Sequence, residues 1–495
     1  MSERSELASL VESFGGARVL CVGDAILDHF RHGAVERISP EAPVPVLKLD
    51  ADEKAQLGGG GNVVRNLVSL GVQVQFVTVI GAADTGNADH AGKEILRLLD
   101  SYKIGTDEIL LDRDRRTSAK TRYFASGQQI LRTDSETPLP LAEKIHRQLI
   151  NKAKAAMADC AVVILSDYGK GVLDDGVALE LIKAARKQGK QVIVDPKDRD
   201  YRRYGGANLL TPNRKELAGA SHLPVDTEKQ VAAAARMLID EHDLSAMLAT
   251  LGRDGMTLVT AEGGVSHLKA QAREVFDVSG AGDTVVATLA AALGAGSALK
   301  DAAELANVAA GIVVGKVGTA AASAADVIGA LHHQDISSAE AKVMALQQGL
   351  ETIGRWRRRG IKVGFTNGCF DLLHPGHVSL LAQAKAACGR LVVGLNSDAS
   401  VRRLGKGDGR PVQTEAARAT VLASLATVDM VVIFTGDTPV ELIEAIRPDV
   451  LVKGADYELP EVVGADLVRS YGGKVLLADL EPDHSTTATI KRMAK

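Results

Sequence analysis

Short apolar runs separated by helix-period stretches dominate the first two thirds of the chain. Ala17–Asp24 (ARVLCVGD) is almost entirely apolar and closes on Gly-Asp, the pattern of a strand buried on both faces. Similar runs follow at Val74–Ile80, Ala161–Leu165, Gln191–Asp195, Asn208–Leu210 and Met247–Leu251, with helical segments between them. This alternation predicts βαβ units and a mostly parallel sheet covered on both faces. Two segments depart from it. His32–Leu49 carries Pro40, Pro43 and Pro45 among apolar residues, which suits edge strands or a flap and excludes a central strand. Thr117–Arg132 reads as two strands around Ser126-Gly127. Val265–Phe276 then reads as strand and approach loop, and Val285–Leu293 as an alanine-rich helix.

The stretch Leu331–Ser338 (LHHQDISS) marks a boundary. A helix over Ala339–Arg359 follows, ending in a basic cluster and Gly360. A shorter α/β pattern begins with a strand at Ile361–Thr366 and continues through Leu391–Asn396, Met430–Phe434, Val450–Val452 and Lys474–Ala478. The expected organisation is a domain over residues 1–330, a linker and connecting helix over 331–360, and a second domain over 361–495. No fixed-period repeat is visible.

Composition narrows the class. With 46% hydrophobic and 24% charged residues, the chain of 495 residues supports sizeable cores, and 3% aromatics means cores of Ala, Val and Leu. A net charge of −4 gives no broad attraction to nucleic acid or anionic membrane. Cys21, Cys160, Cys369 and Cys388 form no CxxC or disulfide framework, which fits a reducing compartment. No signal-peptide pattern and no apolar run of ~18 residues appears, so a cytoplasmic location is expected.

Asp277-Val-Ser-Gly-Ala-Gly-Asp-Thr284 concentrates the chemistry of the first domain. Gly280, Ala281 and Gly282 open a helix, where backbone N–H groups and the helix dipole form an anion-binding concavity. Asp283 inside it would sit beside a bound phosphate and take the proton of an attacking hydroxyl. The plainer alternative is a glycine turn that caps a helix. Other polar groups gather at predicted strand ends. Asp24 and Asp28 follow the first strand, and Gly58-Gly59-Gly60-Gly61-Asn62 opens a helix. Asp195-Pro-Lys197, Thr211-Pro-Asn213-Arg214-Lys215-Glu216 and Thr250-Leu-Gly252-x-x-Gly255 end three more strands. Taken singly, Asp24 also reads as a turn cap and Asn62 as a helix N-cap.

The pair GGGGN and DVSGAGD resembles the ribokinase-type carbohydrate kinases over about residues 15–325. The resemblance implies a ribokinase-like α/β sandwich with a β lid formed by residues 32–49. It makes Asp283 the base and Gly280, Ala281 and Gly282 the anion hole. Asn213, Arg214, Lys215, Glu216, Thr250, Gly252 and Asn307 would bind ATP, with Asn307 near the adenine. Asp24, Asp28, Gly59, Gly60 and Asn62 would bind sugar. Lys120 and Arg122, with Arg132 and the preceding Arg113, Arg115 and Arg116, form either a solvated basic face or a grip on a phosphate already on the sugar. The second reading is preferred for Lys120 and Arg122.

In the second domain, Gly364-Phe-Thr366-Asn367-Gly368-Cys-Phe370-Asp-Leu-Leu-His374-Pro-Gly-His377 follows a predicted strand. Pro375 and Gly376 suit a helix start, so both imidazoles would point from its N-terminus toward one ligand. Two such donors can stabilise charge on an α-phosphate while a substrate phosphate displaces pyrophosphate. A zinc pair with Cys369, or a purely structural pair, are the alternatives. HPGH after a strand resembles the HxGH nucleotidylyltransferases, and implies a Rossmann-like fold. By that resemblance Thr366, Asn367, Gly368, Phe370, Asn396, Asp398, Lys406, Lys453, Asp456, Ser485, Thr486 and Thr487 bind nucleotide. The last motif departs from the commoner I-S-S-T-x-x-R, with Lys491 in place of Arg at a shifted spacing, so the cation for the β- and γ-phosphates is left open.

The order of the two patterns, with Arg37–Val46, Ser166-Asp-Tyr-Gly-Lys-Gly171 and FTNGCFDLLHPGH, resembles the bifunctional heptose enzymes of Gram-negative bacteria across nearly the whole chain. That resemblance implies phosphorylation at C1 of D-glycero-β-D-manno-heptose 7-phosphate. It also implies adenylyl transfer to heptose 1-phosphate, giving ADP-heptose for the lipopolysaccharide core. The alternative is another sugar or alcohol kinase fused to a cytidylyltransferase. Mg²⁺ with ATP is implied, a monovalent cation is left open, and no direct protein metal cluster is expected. ATP and heptose phosphates are the expected partners, with a separate bisphosphate phosphatase, a homodimer or higher oligomer, and neither nucleic acid nor membrane.

Overall fold

A computed structural model describes residues 3–174, 176–197, 200–271, 278–316, 320–331, 342–405, 410–454 and 461–479. The chain divides into two compact units, Ser5–Leu331 and one composed of Met1–Arg4 and His332–Lys495.

The first unit is built on nine strands in the order β13-β12-β11-β10-β9-β8-β1-β4-β5. These are β1 (Arg18–Gly23), β4 (Gln73–Gly81), β5 (Ile109–Asp112), β8 (Val162–Ser166), β9 (Gln191–Asp195), β10 (Leu209–Leu210), β11 (Ala246–Thr250), β12 (Met256–Thr260) and β13 (Val265–Leu268). All pairings are parallel from β5 to β11, and β12 and β13 are antiparallel. Alternation along β1 explains why the sheet lies in the middle. Val19 and Cys21 join one apolar cluster, and Leu20 and Val22 join the cluster on the other face. Each fully buried aliphatic side chain of this kind contributes about 1.5–3 kcal/mol. β1 lies between β4 and β8, so the crevice at its carboxyl end is the switch point where such sheets place ligands.

A second sheet of four strands, β3-β2-β6-β7, forms the lid: β2 (Ala25–Ile38), β3 (Pro45–Gly59), β6 (Ser118–Ala125) and β7 (Gln128–Ser135). It is larger than the expected 32–49 flap. The first four residues of β2 are buried and its far end is exposed. Pro40 and Pro43 fall in the connecting turn, and Pro45 opens an edge strand, where a missing N–H is tolerated.

The second unit is a five-stranded parallel sheet, β16-β15-β14-β17-β18. Its strands are β14 (Val363–Gly368), β15 (Arg390–Asn396), β16 (Met430–Phe434), β17 (Val450–Gly454) and β18 (Lys474–Ala478). Its switch point lies between β14 and β17. The helix expected over Ala339–Arg359 is Leu346–Arg358, with Ala345 as N-cap. Ahead of it, Val343 bridges to Val431 of β16 and is not helical; residues 339–341 lie outside the described residues.

Candidate active sites

Asp283 lies in the first turn of the helix Ala281–Gly294, just behind Gly280, whose φ of 79° supplies the left-handed N-cap. A Cβ on Gly282 would meet nothing within 4 Å, so the backbone there faces open space. The carboxylate is only 6% exposed and is held from two directions. Asn62 Nδ2 donates to Oδ2 at 2.5 Å, and the Tyr168 hydroxyl donates to Oδ1. Asn62 sits inside the helix Gly60–Ser69, whose N-cap is Gly59; its side chain therefore serves Asp283 and is not the helix cap. Behind it, Asn66 Nδ2 donates to the Asn62 carbonyl at 2.9 Å, and Thr284 Oγ1 donates to Asn66 Oδ1 at 2.9 Å. Burial pushes Asp283 up to about 6, the Asp28 charge adds to it, and the two donors and the Arg65 guanidinium oppose it.

Asp24, between β1 and β2, is buried and accepts three alternate backbone amides, from Tyr168 (2.8 Å), Lys170 (3.0 Å) and Val172 (3.1 Å). Asp24 thus organises the loop that carries Tyr168. Burial and the neighbouring Asp167 raise Asp24 to about 6 against those amides. Asp28 lies on β2 and accepts from Arg122 Nη1 at 2.6 Å, while Lys120 of β6 stands opposite Asp28 in register. Arg122 also lies over the Phe30 ring, 5.4 Å from its centroid. Burial lowers the Lys120 pKa. Of the rest of the basic run, Arg132 of β7 stands opposite Arg122 in register, whereas Arg115 turns into the interior. Arg115 is buried on Asp112 and on the Lys170 and Leu139 carbonyls, and Arg132 pairs with Asp134. Gly59 (φ 58°) and Gly60 bring the helix start against the Asp24 carbonyl, which Gly60 N–H reaches at 2.8 Å.

The expected nucleotide residues form the next rim. Asn213 caps the helix Arg214–Ser221 in a reciprocal capping box with Glu216. Glu216 Oε1 also accepts from Lys197 at 3.4 Å, and Arg214 is tied to Asp254 and the Val225 carbonyl. The backbone of Asn213 bridges to Thr250 at the end of β11, where Gly252 turns at φ 63°. Lys215 contributes its backbone N–H to Asn213 Oδ1. Asn307 is buried and donates to the Lys269 carbonyl at 2.8 Å, so its amide anchors the chain leaving β13. Asp195, at the end of β9, is pushed well above the usual carboxylate range by burial and by Asp283 and Glu216.

In the second unit, His374 is the N-cap and Pro375 the first residue of the helix Pro375–Ala386. The His374 and His377 rings stack with centroids 3.8 Å apart, and Phe370 packs on His377 at 5.0 Å. Phe370 holds a φ of 44°, which turns the chain from β14 toward the two imidazoles. No group of three or more His, Cys, Asp or Glu placed to hold a metal occurs among the described residues. Thr366 is buried within β14, and Gly368 ends that strand with the Phe370 ring close by. Lys453, at the end of β17, donates to the Asn367 carbonyl at 3.2 Å, which joins the two strands flanking the switch point.

Arg418, a residue without a motif, ties this unit together. It is buried and donates to the carbonyls of Cys369 (2.6 Å), Asn396 (2.9 Å) and Gln413 (3.0 Å) and to Asp398 (2.7 Å). Asn396 itself donates to Ser400 Oγ at 3.0 Å. Asp371 is likewise hidden, accepting from Val412 and Gln413 N–H and from Arg410 at 3.0 Å. Lys406, Asp456, Ser485, Thr486, Thr487 and Lys491 lie outside the described residues. Sequence reasoning passed over Tyr168 and Arg418 as site residues; the only available signal was that Tyr168 falls within the SDYGKG run.

The family model of pfkB family carbohydrate kinases matches residues 17–326, and the cytidylyltransferase-like model matches residues 365–492. The bifunctional protein HldE of Paramagnetospirillum magneticum is 59% identical over 493 residues, covering 100% of this chain and 99% of that protein. That of Rhodospirillum rubrum is 56% identical, covering 100% and 98%, and that of Hyphomonas neptunium 44% identical, covering 99% of each. Among solved structures, phosphofructokinase-2 from Escherichia coli in complex with potassium aligns with a TM-score of 0.54 at 22% identity, covering 64% of this chain and 99% of that one. Ribokinase from Arabidopsis thaliana complexed with ribose and ATP aligns with a TM-score of 0.51 at 19% identity, covering 64% and 98%. These two likenesses carry the fold alone. The chain belongs to the family of bifunctional HldE proteins and joins a pfkB-type carbohydrate kinase to a cytidylyltransferase-like transferase.

Proposed function

We propose that each unit carries one step of ADP-heptose synthesis, the kinase within residues 1–330, the transferase within 361–495, and residues 331–360 connecting them. In the first step the C1 hydroxyl of heptose 7-phosphate attacks the γ-phosphorus of ATP and the bond to ADP breaks. Asp283 receives the hydroxyl proton, as a general base, and the N–H groups after Gly280 take the charge developing on the phosphoryl oxygens. The observation that carries this reading is the buried, doubly held Asp283 immediately behind a left-handed glycine at a helix N-terminus. Asp24, Asn62 and the Gly59–Gly60 turn orient the sugar, and Lys120 and Arg122 face its 7-phosphate.

ATP enters as its Mg²⁺ complex, which neutralises phosphate charge. The carboxylates of Asp195 and Glu216 suit that charge, since burial and the neighbouring negative groups disfavour the Asp195 anion more than Lys197 favours it, and a cation there would offset that. A monovalent cation, as in the potassium complex of phosphofructokinase-2, is tested by comparing potassium with sodium buffers. Self-association is a further proposal, in keeping with a tetrameric form of phosphofructokinase-2 at 20% identity.

In the second step a phosphate oxygen of heptose 1-phosphate attacks the α-phosphorus of ATP and pyrophosphate leaves. His374 and His377 stabilise the α-phosphoryl charge. Asn367, Asn396, Asp398 and Lys453 frame the nucleotide at the β14/β17 switch point, with Lys406, Asp456 and Ser485–Thr487 as further contacts. The 7-phosphate must be removed between the steps, which calls for a separate phosphatase. Mass spectrometry of products from the protein with MgATP and heptose 7-phosphate tests the reading. It predicts a heptose bisphosphate alone, and ADP-heptose only when a phosphatase acting on the 7-position is added. A nucleoside diphosphate sugar formed from CTP in preference to ATP would favour the cytidylyltransferase alternative.

A further inference from the structure

Tyr168 hydrogen-bonds both Asp24 and Asp283. Its backbone N–H donates to Asp24 at 2.8 Å, and its hydroxyl donates to Asp283 Oδ1. The loop gives the phenol little freedom. Asp24 holds amides 168, 170 and 172, Asp167 accepts Gly169 N–H at 2.8 Å, and the Tyr204 hydroxyl donates to Asp167 at 2.6 Å. The phenol cannot readily ionise, because burial and the charges of Asp283, Asp195 and Glu216 push it well above its ordinary range. It therefore remains an O–H donor throughout the range in which the Asp283 carboxylate titrates.

We infer that Tyr168 is a positioning residue for the phosphoryl-transfer base: its hydroxyl holds the Asp283 carboxylate charged and oriented, and its backbone ties that orientation to the sugar-side carboxylate Asp24. This rests on the reading of Asp283 as the base. A carboxylate offers about four acceptor positions. Tyr168 and Asn62 occupy one on each oxygen and leave the others for the acceptor hydroxyl. The titratable groups facing Asp283, beside the neutral donor Asn62, are Arg65 from the Gly60–Ser69 helix, Asp28 from β2, Asp195 from β9, Cys21 from β1 and Tyr168 itself. Tyr168, Asn62 and Arg65 favour the charged base, and the phenol is the first of these in effect.

The sign is fixed by the chemistry. The base works ionised, so phosphorylation falls as pH drops through its pKa. Removing a donor that favours the charged form moves that limb to higher pH. In the full-length protein, Tyr168→Phe is expected to shift the acid limb of kcat for C1 phosphorylation upward by about one pH unit. At pH 6 this is a loss of about fivefold that narrows above pH 8. Site-specific 3-fluorotyrosine at 168, a stronger donor of nearly the same shape, is expected to shift the limb downward, and decides the matter if the phenylalanine variant misfolds. Adenylyl transfer to heptose 1-phosphate is unchanged in both. Profiles that superimpose on the wild type after scaling would overturn the inference. Asp283→Asn separates the two levels: if it still phosphorylates, the base reading fails, and if it is inactive while the fluorotyrosine profile is unmoved, the role of Tyr168 alone fails.

Discussion

At Asp283 the needs of chemistry and of folding oppose one another. An aspartate of the unfolded chain titrates near ~3.9, whereas burial holds Asp283 at about 6 in the fold. The penalty is absent below the unfolded value and fully present above the folded one, where it amounts to roughly 3 kcal/mol. Asp283→Asn is accordingly expected to abolish measurable phosphorylation while unfolding at no lower temperature than the wild type at pH 7; activity assay and calorimetry check the two halves. Phosphorylation by the wild type should decline below pH 6, since Asp283 and Asp24 both lie near 6 and must be ionised to work. A limb near pH 4 would place both carboxylates in ordinary solvent. The sequence made Asp283 legible because the small residues before it announce a helix start with room above it. Tyr168 was not legible, since it lies 115 positions from the carboxylate it serves and no local pattern marks a donor at that distance.

Turns and strand ends set the next level. Gly59 has a φ of 58°, and a Cβ there would lie 2.5 Å from the Asp24 carbonyl oxygen. Gly59→Ala therefore strains the backbone by about 1–3 kcal/mol and displaces the Gly60–Ser69 helix from the sugar side. We expect the KM for heptose 7-phosphate to rise about tenfold with adenylyl transfer intact; an unchanged KM would separate this turn from the sugar. In the transferase, Arg418 fastens the ends of β14 and β15 through the carbonyls of Cys369 and Asn396. Arg418→Met leaves Asp398 and these carbonyls without their cation, so we expect a loss of about 3 kcal/mol in the second unit and adenylyl transfer weakened far more than phosphorylation. Urea titration with both assays tests this. Strands buried on both faces, such as β1 and β15, were legible from their continuous apolar runs. The lid was underestimated because its outer half is exposed and its charged residues, among them Arg31 and Glu53, resemble loop sequence.

Over the whole molecule, two parallel-sheet units each place polar residues at a strand-order switch point, which is why short motifs near strand ends located both crevices. What those motifs could not supply was the framework that orients them: Asp24 collecting loop amides, Arg418 collecting carbonyls. No helix among the described residues is long and apolar enough to cross a membrane. The central claim is that a carboxylate in one unit and an imidazole pair in the other run separate reactions. The most direct measurement is product analysis of full-length Asp283→Asn and His377→Ala, each given MgATP with heptose 7-phosphate and, separately, with heptose 1-phosphate. Asp283→Asn should make no bisphosphate yet release pyrophosphate and ADP-heptose at the wild-type rate. His377→Ala should phosphorylate normally and lose at least ~100-fold in adenylyl transfer. Loss of both reactions in either folded variant, or retention of bisphosphate synthesis by Asp283→Asn, would contradict the account.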